Sequence, residues 1–132
     1  MFKEYTSLGF MSGTSGDGVD ASIISSDGET KYEVIKDQYY EYEADVYKKI
    51  HDIKPQINSI NELKKFQKDL NELENKITLF HAKIGKEIIK DRKVDIIGFH
   101  GQTIHHSPQE KISKQLGNGK LLSQLLKKKV VY

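Results

Sequence analysis

The chain has 132 residues, of which 36% are hydrophobic and 30% charged, with Lys+Arg 21 against Asp+Glu 19 and no cysteine. That length suits one unit with a real core, and a net charge of +2 carries neither a nucleic-acid nor a membrane signature. The lack of cysteine excludes disulfides, thiolate metal sites and cysteine nucleophiles.

The opening "MFKEYTSLGF" lacks the apolar run of a secretion signal, and no stretch supplies the roughly 18 apolar residues that cross a bilayer. The expected compartment is the cytoplasm. Two short apolar-rich runs, "SLGFM" (7–11) and "VDASIISS" (19–26), flank a glycine segment, the pattern of two strands joined by a polar loop. Asp27-Gly28 then marks a tight hairpin turn, because this pair tolerates positive φ. A third strand around "KYEVIKDQYYEY" pairs back on the second, giving a three-strand antiparallel meander.

After Glu43 the period changes. Val46, Ile50 and Ile53 share one helical face, and Pro55 closes that helix by steering its neighbour away from α geometry. Ser59 and Glu62 stand at capping-box spacing before Leu63, Phe66, Leu70, Leu73, Ile77, Phe80, Ile84 and Ile88, which recur every three or four residues. This stripe predicts one long helix or two abutting ones covering a sheet, with a coiled-coil seam as the rival. "VDIIGFHG" (94–101) reads as a strand buried on both faces. "NGKLLSQLLKKK" predicts a short helix with Leu121, Leu122, Leu125 and Leu126 inward and lysines at its negative end, and "VVY" opens another strand. The expected fold is α/β: a meander followed by alternating helices and strands. Ending on the first residues of an apolar strand, residues 1–132 read as a single incomplete lobe.

The glycine segment is "GFMSGTSGDGVDA" (9–21). Backbone amides presented by a turn between strands form a concave nest for anions, and glycine lets the main chain approach phosphate oxygens closely. Gly13, Gly16 and Gly18 suit that approach, and Ser12, Thr14 and Ser15 add hydroxyl donors. Asp17 and Asp20 fit an anion site once Mg²⁺ lies between them and the phosphates, bound directly or through water. The spacing matches neither the P-loop nor the dinucleotide-binding fingerprint, both of which open a helix rather than join two strands. On residue types alone, a capped structural turn remains an equal reading.

The second polar segment is "GFHGQTIHHSP" (98–108). His100, Gln102, Thr103, His105 and His106 are expected to gather at the C-terminal end of the preceding strand, where α/β sheets place ligands, and polar groups there can read sugar hydroxyls. A zinc site is the rival, although no carboxylate stands at suitable spacing. His51 and His81, on helices, read as surface or packing residues.

Both segments together, followed by "QLGNG" (115–119), resemble the N-terminal part of the anhydro-N-acetylmuramic acid kinase family, a resemblance that covers essentially the whole chain. Three positions differ from the family pattern: Gly16, where a larger apolar residue is usual, His105, where an aromatic is common, and Asn118, where an acidic residue is frequent. The resemblance implies the superfamily of sugar kinases, actin and heat-shock chaperone ATPases, with two ribonuclease-H-like lobes and ATP in the cleft between them. It implies ATP-dependent phosphorylation of 1,6-anhydro-N-acetylmuramic acid with opening of the anhydro ring, yielding N-acetylmuramic acid 6-phosphate in peptidoglycan recycling. By this similarity Gly13, Thr14, Ser15, Gly16, Asp17, Gly18, Val19 and Asp20 bind the ATP phosphates, Asp17 and Asp20 through Mg²⁺. His100, Gly101, Gln102, Thr103 and His106 line the sugar side, and Gln115 and Gly117 match the following turn. The carboxylate that activates water is expected beyond residue 132, together with the second lobe.

Two readings of function follow. In the first the chain is a piece of a sugar kinase, inactive alone; in the second it is a non-catalytic module holding a nucleotide or amino sugar, or half of a split enzyme. An unfinished sheet edge also predicts self-association into homo-oligomers unless the missing lobe covers it.

Overall fold

The computed structural model describes residues 3–132, so Met1 and Phe2 of the opening segment lie outside the described residues. The meander is present as β1 (Tyr5–Met11), β2 (Gly18–Ser26) and β3 (Tyr32–Glu41), paired antiparallel in succession. Leu8 and Phe10 of β1 and Val19, Ala21 and Ile23 of β2 are all buried. Alternate residues of a strand point the same way, so these five define one inner face. The β2–β3 connection is longer than the two-residue turn expected at Asp27-Gly28. It spans residues 27–31, with Gly28 at φ +81 and the Asp27 amide bonded to the Lys31 carbonyl at 3.3 Å.

Helix α1 (Ala44–Ile53) buries Val46, Ile50 and Ile53, and a 3-10 turn (Lys54–Gln56) carrying Pro55 ends it as expected. The apolar stripe divides into α2 (Ile60–Lys65) and α3 (Gln67–Ile89), which meet at Phe66, whose φ −95 and ψ 16 leave the helical region. At the start of α2, Ser59 Oγ accepts the Asn61 amide at 3.2 Å, while Glu62 meets the Ser59 hydroxyl instead of returning to its backbone. Leu70, Leu73, Ile77, Phe80, Ile84 and Ile88 are buried in one core with the inner face of the sheet, which rules out a coiled-coil seam. Gly85 permits close packing there, since a Cβ would stand 3.0 Å from Leu126 and 3.5 Å from Phe10. Across the α1–α3 seam, Lys76 Nζ reaches Asp45 at 3.2 Å and Lys83 Nζ reaches Glu43 at 2.8 Å.

Strand β4 (Ile96–Gly98) lies parallel to β1, and β7 (Lys129–Val131) lies parallel to β4, which gives the order β3-β2-β1-β4-β7. Between β4 and β7 the sequence reading expected a polar loop and then a helix. The structure instead forms a hairpin, β5 (Gln102–Ser107) and β6 (Ile112–Leu116), before α4 (Gly119–Leu126). Ile104 and Leu116 anchor this hairpin in the core. Asn118 Oδ1 caps α4 by accepting the Leu121 amide at 2.9 Å, and of the four leucines expected inward only Leu122 is fully buried.

Strand β4 is also shorter than residues 94–101, and only Ile97 is fully buried while Gly98 is exposed. Its outer face is therefore bare rather than covered, as is that of β1, where Met11 is exposed. No helix among the described residues is long and apolar enough to cross a membrane.

Candidate functional site

Residues 12–17 join β1 to β2 at the end of the sheet where β4 and β7 also terminate. Four carbonyls of this loop are held from behind. Gly13 O accepts from Gln102 Nε2 at 2.8 Å and from the Gly16 amide at 3.3 Å, Thr14 O accepts from Lys54 Nζ, Gly16 O lies 3.2 Å from His51 Nε2, and Asp17 O accepts the Tyr42 amide at 3.0 Å. With the oxygens tied back, the amides of Gly13, Thr14, Ser15 and Asp17 have no protein acceptor among the described residues, and all four residues are exposed. Four backbone N–H groups without a protein acceptor, on exposed residues beside the Thr14 and Ser15 hydroxyls, suit an anion.

The glycines divide by role. Gly16 sits at φ +71, a conformation that a side chain resists, and a Cβ there would stand 2.8 Å from Ile50 Cγ2. Gly13 faces open space apart from Ser15 Oγ at 3.7 Å. Gly18 belongs to β2, and the bare backbone it offers is taken up by β3, whose Tyr40 carbonyl would be 2.4 Å from a Cβ. The Val19 side chain is fully buried in the core, which leaves only its backbone available to a ligand, whereas Asp20 is exposed on the outer face opposite Met11 and Tyr39.

Asp17 is exposed as well, with Oδ1 3.6 Å from His51 Nε2. Among the described residues no three His, Cys, Asp or Glu side chains lie close enough to hold a metal ion. Asp17 and Asp20 alone therefore do not make a protein-built metal site, and a divalent ion beside them would need phosphate and water oxygens to fill its shell. His51 and Lys54 are site residues that the sequence reading did not find. Their contacts span 35 and 40 positions, and nothing in the local pattern around α1 marks them.

The second segment is sewn to the first. Ser12 Oγ donates to Gly101 O at 3.0 Å, the Ser12 amide donates to His100 Nε2 at 3.4 Å, and Gln102 reaches Gly13 as above. Ser12 therefore spends its hydroxyl inside the protein instead of offering it to a phosphate. Gly101, at φ +78, packs so tightly that a Cβ would be 2.3 Å from the Leu116 carbonyl. Gln102 corrects the expectation of a sugar-facing residue, because it has no accessible surface and both ends of its amide are engaged. His100 is exposed and Thr103 half-buried, so these two remain at the surface of the segment.

The remaining histidines do not gather here. β5 is an extended strand, so His106 stands four residues, roughly 13 Å, from Gln102. It pairs with Ser113 near the far end of the hairpin, and His105 lies beside it. Behind the segment, His81 is fully buried between the rings of Phe10 (5.1 Å) and Phe99 (4.9 Å), with Nδ1 2.8 Å from Ile77 O. Burial pushes its pKa down to about 4, so it is a neutral packing residue at pH 7. Helix α3 also holds the next turn, with Glu74 Oε2 accepting the Gly117 amide and Thr78 Oγ1 the Asn118 amide, each at 3.0 Å.

A cavity of about 810 Å³ opens beside His100 on the bare face of the sheet. Its floor is the in-register pair Gly9 and Gly98, above neither of which any atom lies within 4 Å of a built Cβ. Gln115, Gly117 and Tyr132 complete its wall. The exposed loop amides, His100 and this side-chain-free floor share one end of the sheet, the place where α/β folds take ligands.

Comparison with known proteins shows the family of this sequence. Residues 5–132 match the family model described as anhydro-N-acetylmuramic acid kinase. Proteins named anhydro-N-acetylmuramic acid kinase from Pelagibacter ubique, Agrobacterium fabrum and Brucella canis are 63%, 35% and 32% identical over 100%, 96% and 95% of this chain. The chain spans 36%, 35% and 35% of those relatives' own lengths, in the same order. On the family match over residues 5–132, the chain belongs to the anhydro-N-acetylmuramic acid kinase family.

Proposed function

We propose that this chain is the phosphate-gripping lobe of a kinase that opens the 1,6-anhydro ring of anhydro-N-acetylmuramic acid and phosphorylates it to N-acetylmuramic acid 6-phosphate, in cytoplasmic recycling of cell-wall sugars. The observation that carries the reading is the loop 12–17, whose carbonyls are anchored inward while the amides of Gly13, Thr14, Ser15 and Asp17 stand free among the described residues. Bound MgATP supplies the phosphoryl group to be transferred. The loop amides and the Thr14 and Ser15 hydroxyls hold phosphate oxygens, and Lys54, beside Thr14, adds a positive charge to the same neighbourhood. Asp17 and Asp20 would hold magnesium through its water shell, and His100, which lines the cavity over Gly9 and Gly98, would meet sugar hydroxyls there, with Thr103 half-buried in the same segment.

No carboxylate among these residues is placed to activate water at the anhydro carbon, and the family resemblance puts that group in the portion of the relatives which this chain does not span. Phosphoryl transfer draws most of its rate from simultaneous positioning of nucleophile, metal and phosphates, so this lobe alone is expected to bind weakly and turn nothing over. The test is a titration of ¹⁵N-labelled chain with MgATP up to millimolar concentration. The expected result is a set of saturable amide shifts confined to residues 13–20, Lys54 and 100–103; shifts elsewhere, or none, overturn the reading.

A further inference from the structure

Gln102 makes three hydrogen bonds and touches no solvent. Its Nε2 donates to Gly13 O at 2.8 Å and to Thr103 O at 3.2 Å, while its Oε1 accepts from the Tyr42 hydroxyl at 2.9 Å. Two carbonyls on one side fix which end of the amide is nitrogen, and this in turn fixes Tyr42 as a donor. Burial pushes the Tyr42 hydroxyl up to about 12, so that proton stays in place across the physiological range. Tyr42 sits between β3 and α1, and its backbone amide donates to Asp17 O at 3.0 Å. One residue thus grips both ends of the loop 12–17: the far end directly at Asp17, the near end through Gln102 at Gly13.

We infer that Tyr42 and Gln102 are positioning residues, which set the glycine loop with its carbonyls inward and lock it to the segment carrying His100 and Thr103, so that the phosphate and sugar sides of the cleft keep one spacing. Both side chains are buried, so neither is placed to touch a ligand. The inference rests on the proposed function for its purpose, but the mechanical link itself depends only on the contacts above. Without the Tyr42 hydroxyl the Gln102 oxygen is a buried acceptor with no donor, and the amide gains by rotating away from Gly13. Without the Gln102 amide, Gly13 O keeps only its bond from Gly16.

The experiment uses the 132-residue chain with Tyr42→Phe, Gln102→Met and the double substitution, read by ¹⁵N relaxation and thermal unfolding. Both single variants keep the buried volume, so folding is retained, and Tyr42→Phe provides the milder case if Gln102→Met folds poorly. The parent loop is expected near the order parameter of rigid backbone, about 0.85, with residues 13–16 falling below about 0.6 in either variant while β1 and α3 are unchanged. The double variant is expected to loosen the loop no further, because both changes cut one link. Weakening of MgATP binding by about tenfold, in proportion to the loosening, separates positioning from plain stability. A loop that stays rigid in both single variants, a loosening spread evenly over the chain, or additive effects in the double variant overturn the inference. Loosening of the loop in a parent chain whose amides ignore MgATP upholds the link and defeats only the functional reading.

Discussion

Two polar connections in the meander each carry a glycine at positive φ, Gly16 at +71 and Gly28 at +81, and they use their backbone amides in opposite ways. In the β2–β3 connection, Asp27 Oδ1 accepts the amides of Glu29, Thr30 and Lys31 at 2.9, 2.9 and 3.0 Å, and Oδ2 accepts the Thr30 hydroxyl at 2.7 Å. This loop consumes its own donors and is a finished turn. In the β1–β2 connection the protein binds the carbonyls instead and leaves four amides on exposed residues without a protein acceptor among the described residues. Glycine content does not distinguish a finished turn from a loop that keeps free donors; the partners of the amides do.

The largest expected separation of the two loops comes from acid. Neutral His81, packed between Phe10 of β1 and Phe99 beside the second segment, has its pKa lowered by burial from 6.5 to about 4, so the unfolded chain takes up the proton first. Stability from this group is complete above about pH 6.5 and is lost as pH falls toward 4, by about 3 kcal/mol. Asp27 behaves otherwise: the Thr30 hydroxyl and the amides of Lys31, Glu29 and Thr30 hold its carboxyl well below the usual carboxylate range, so the second loop keeps its caps over that interval. Denaturant unfolding at pH 7 and 4.5 checks this, with His81→Leu expected to remove most of the acid slope; an unchanged slope in that variant refutes the assignment.

Next come the two glycines. Gly16→Ala combines positive φ with a Cβ 2.8 Å from Ile50 Cγ2, and is expected to cost about 2–3 kcal/mol and to abolish MgATP-dependent shifts at residues 13–17. Gly28→Ala meets nothing within 4 Å, so only the backbone term remains, about 1 kcal/mol with MgATP shifts unaffected. Equal costs in calorimetry would erase the distinction drawn here. The smallest effect is expected from Asp27→Asn, which lowers the unfolding temperature slightly near neutral pH. Because a depressed carboxyl stabilises above its unfolded pKa and loses that contribution as it protonates, the gap to the parent closes in strong acid.

The meander and the helical stripe were legible because alternation and the 3.6-residue period are written in neighbouring residues: Leu8 with Phe10, or Leu70 with Leu73 and Ile77. The hairpin β5–β6 was not, since "QTIHHS" and "ISKQL" are mostly polar and bury chiefly Gln102, Ile104 and Leu116. Its turn holds Lys111 at φ +57, where the usual signal would be glycine or asparagine. The glycine loop could be located from its composition, but its backing could not. Tyr42, His51 and Lys54 reach their partners over 60, 35 and 40 positions, and only the closed fold brings such residues together.

The seams between the two segments have a consequence for biosynthesis. Ser12 meets Gly101, and Gln102 meets Gly13, each across 89 positions. A ribosome that has released only the meander and the first helices therefore presents a glycine loop in which Gly13 O has only the local Gly16 amide as a donor, and the loop is fixed to the second segment only after residue 102 has emerged. In an early nascent chain the first strands can therefore settle before the loop between them is fixed.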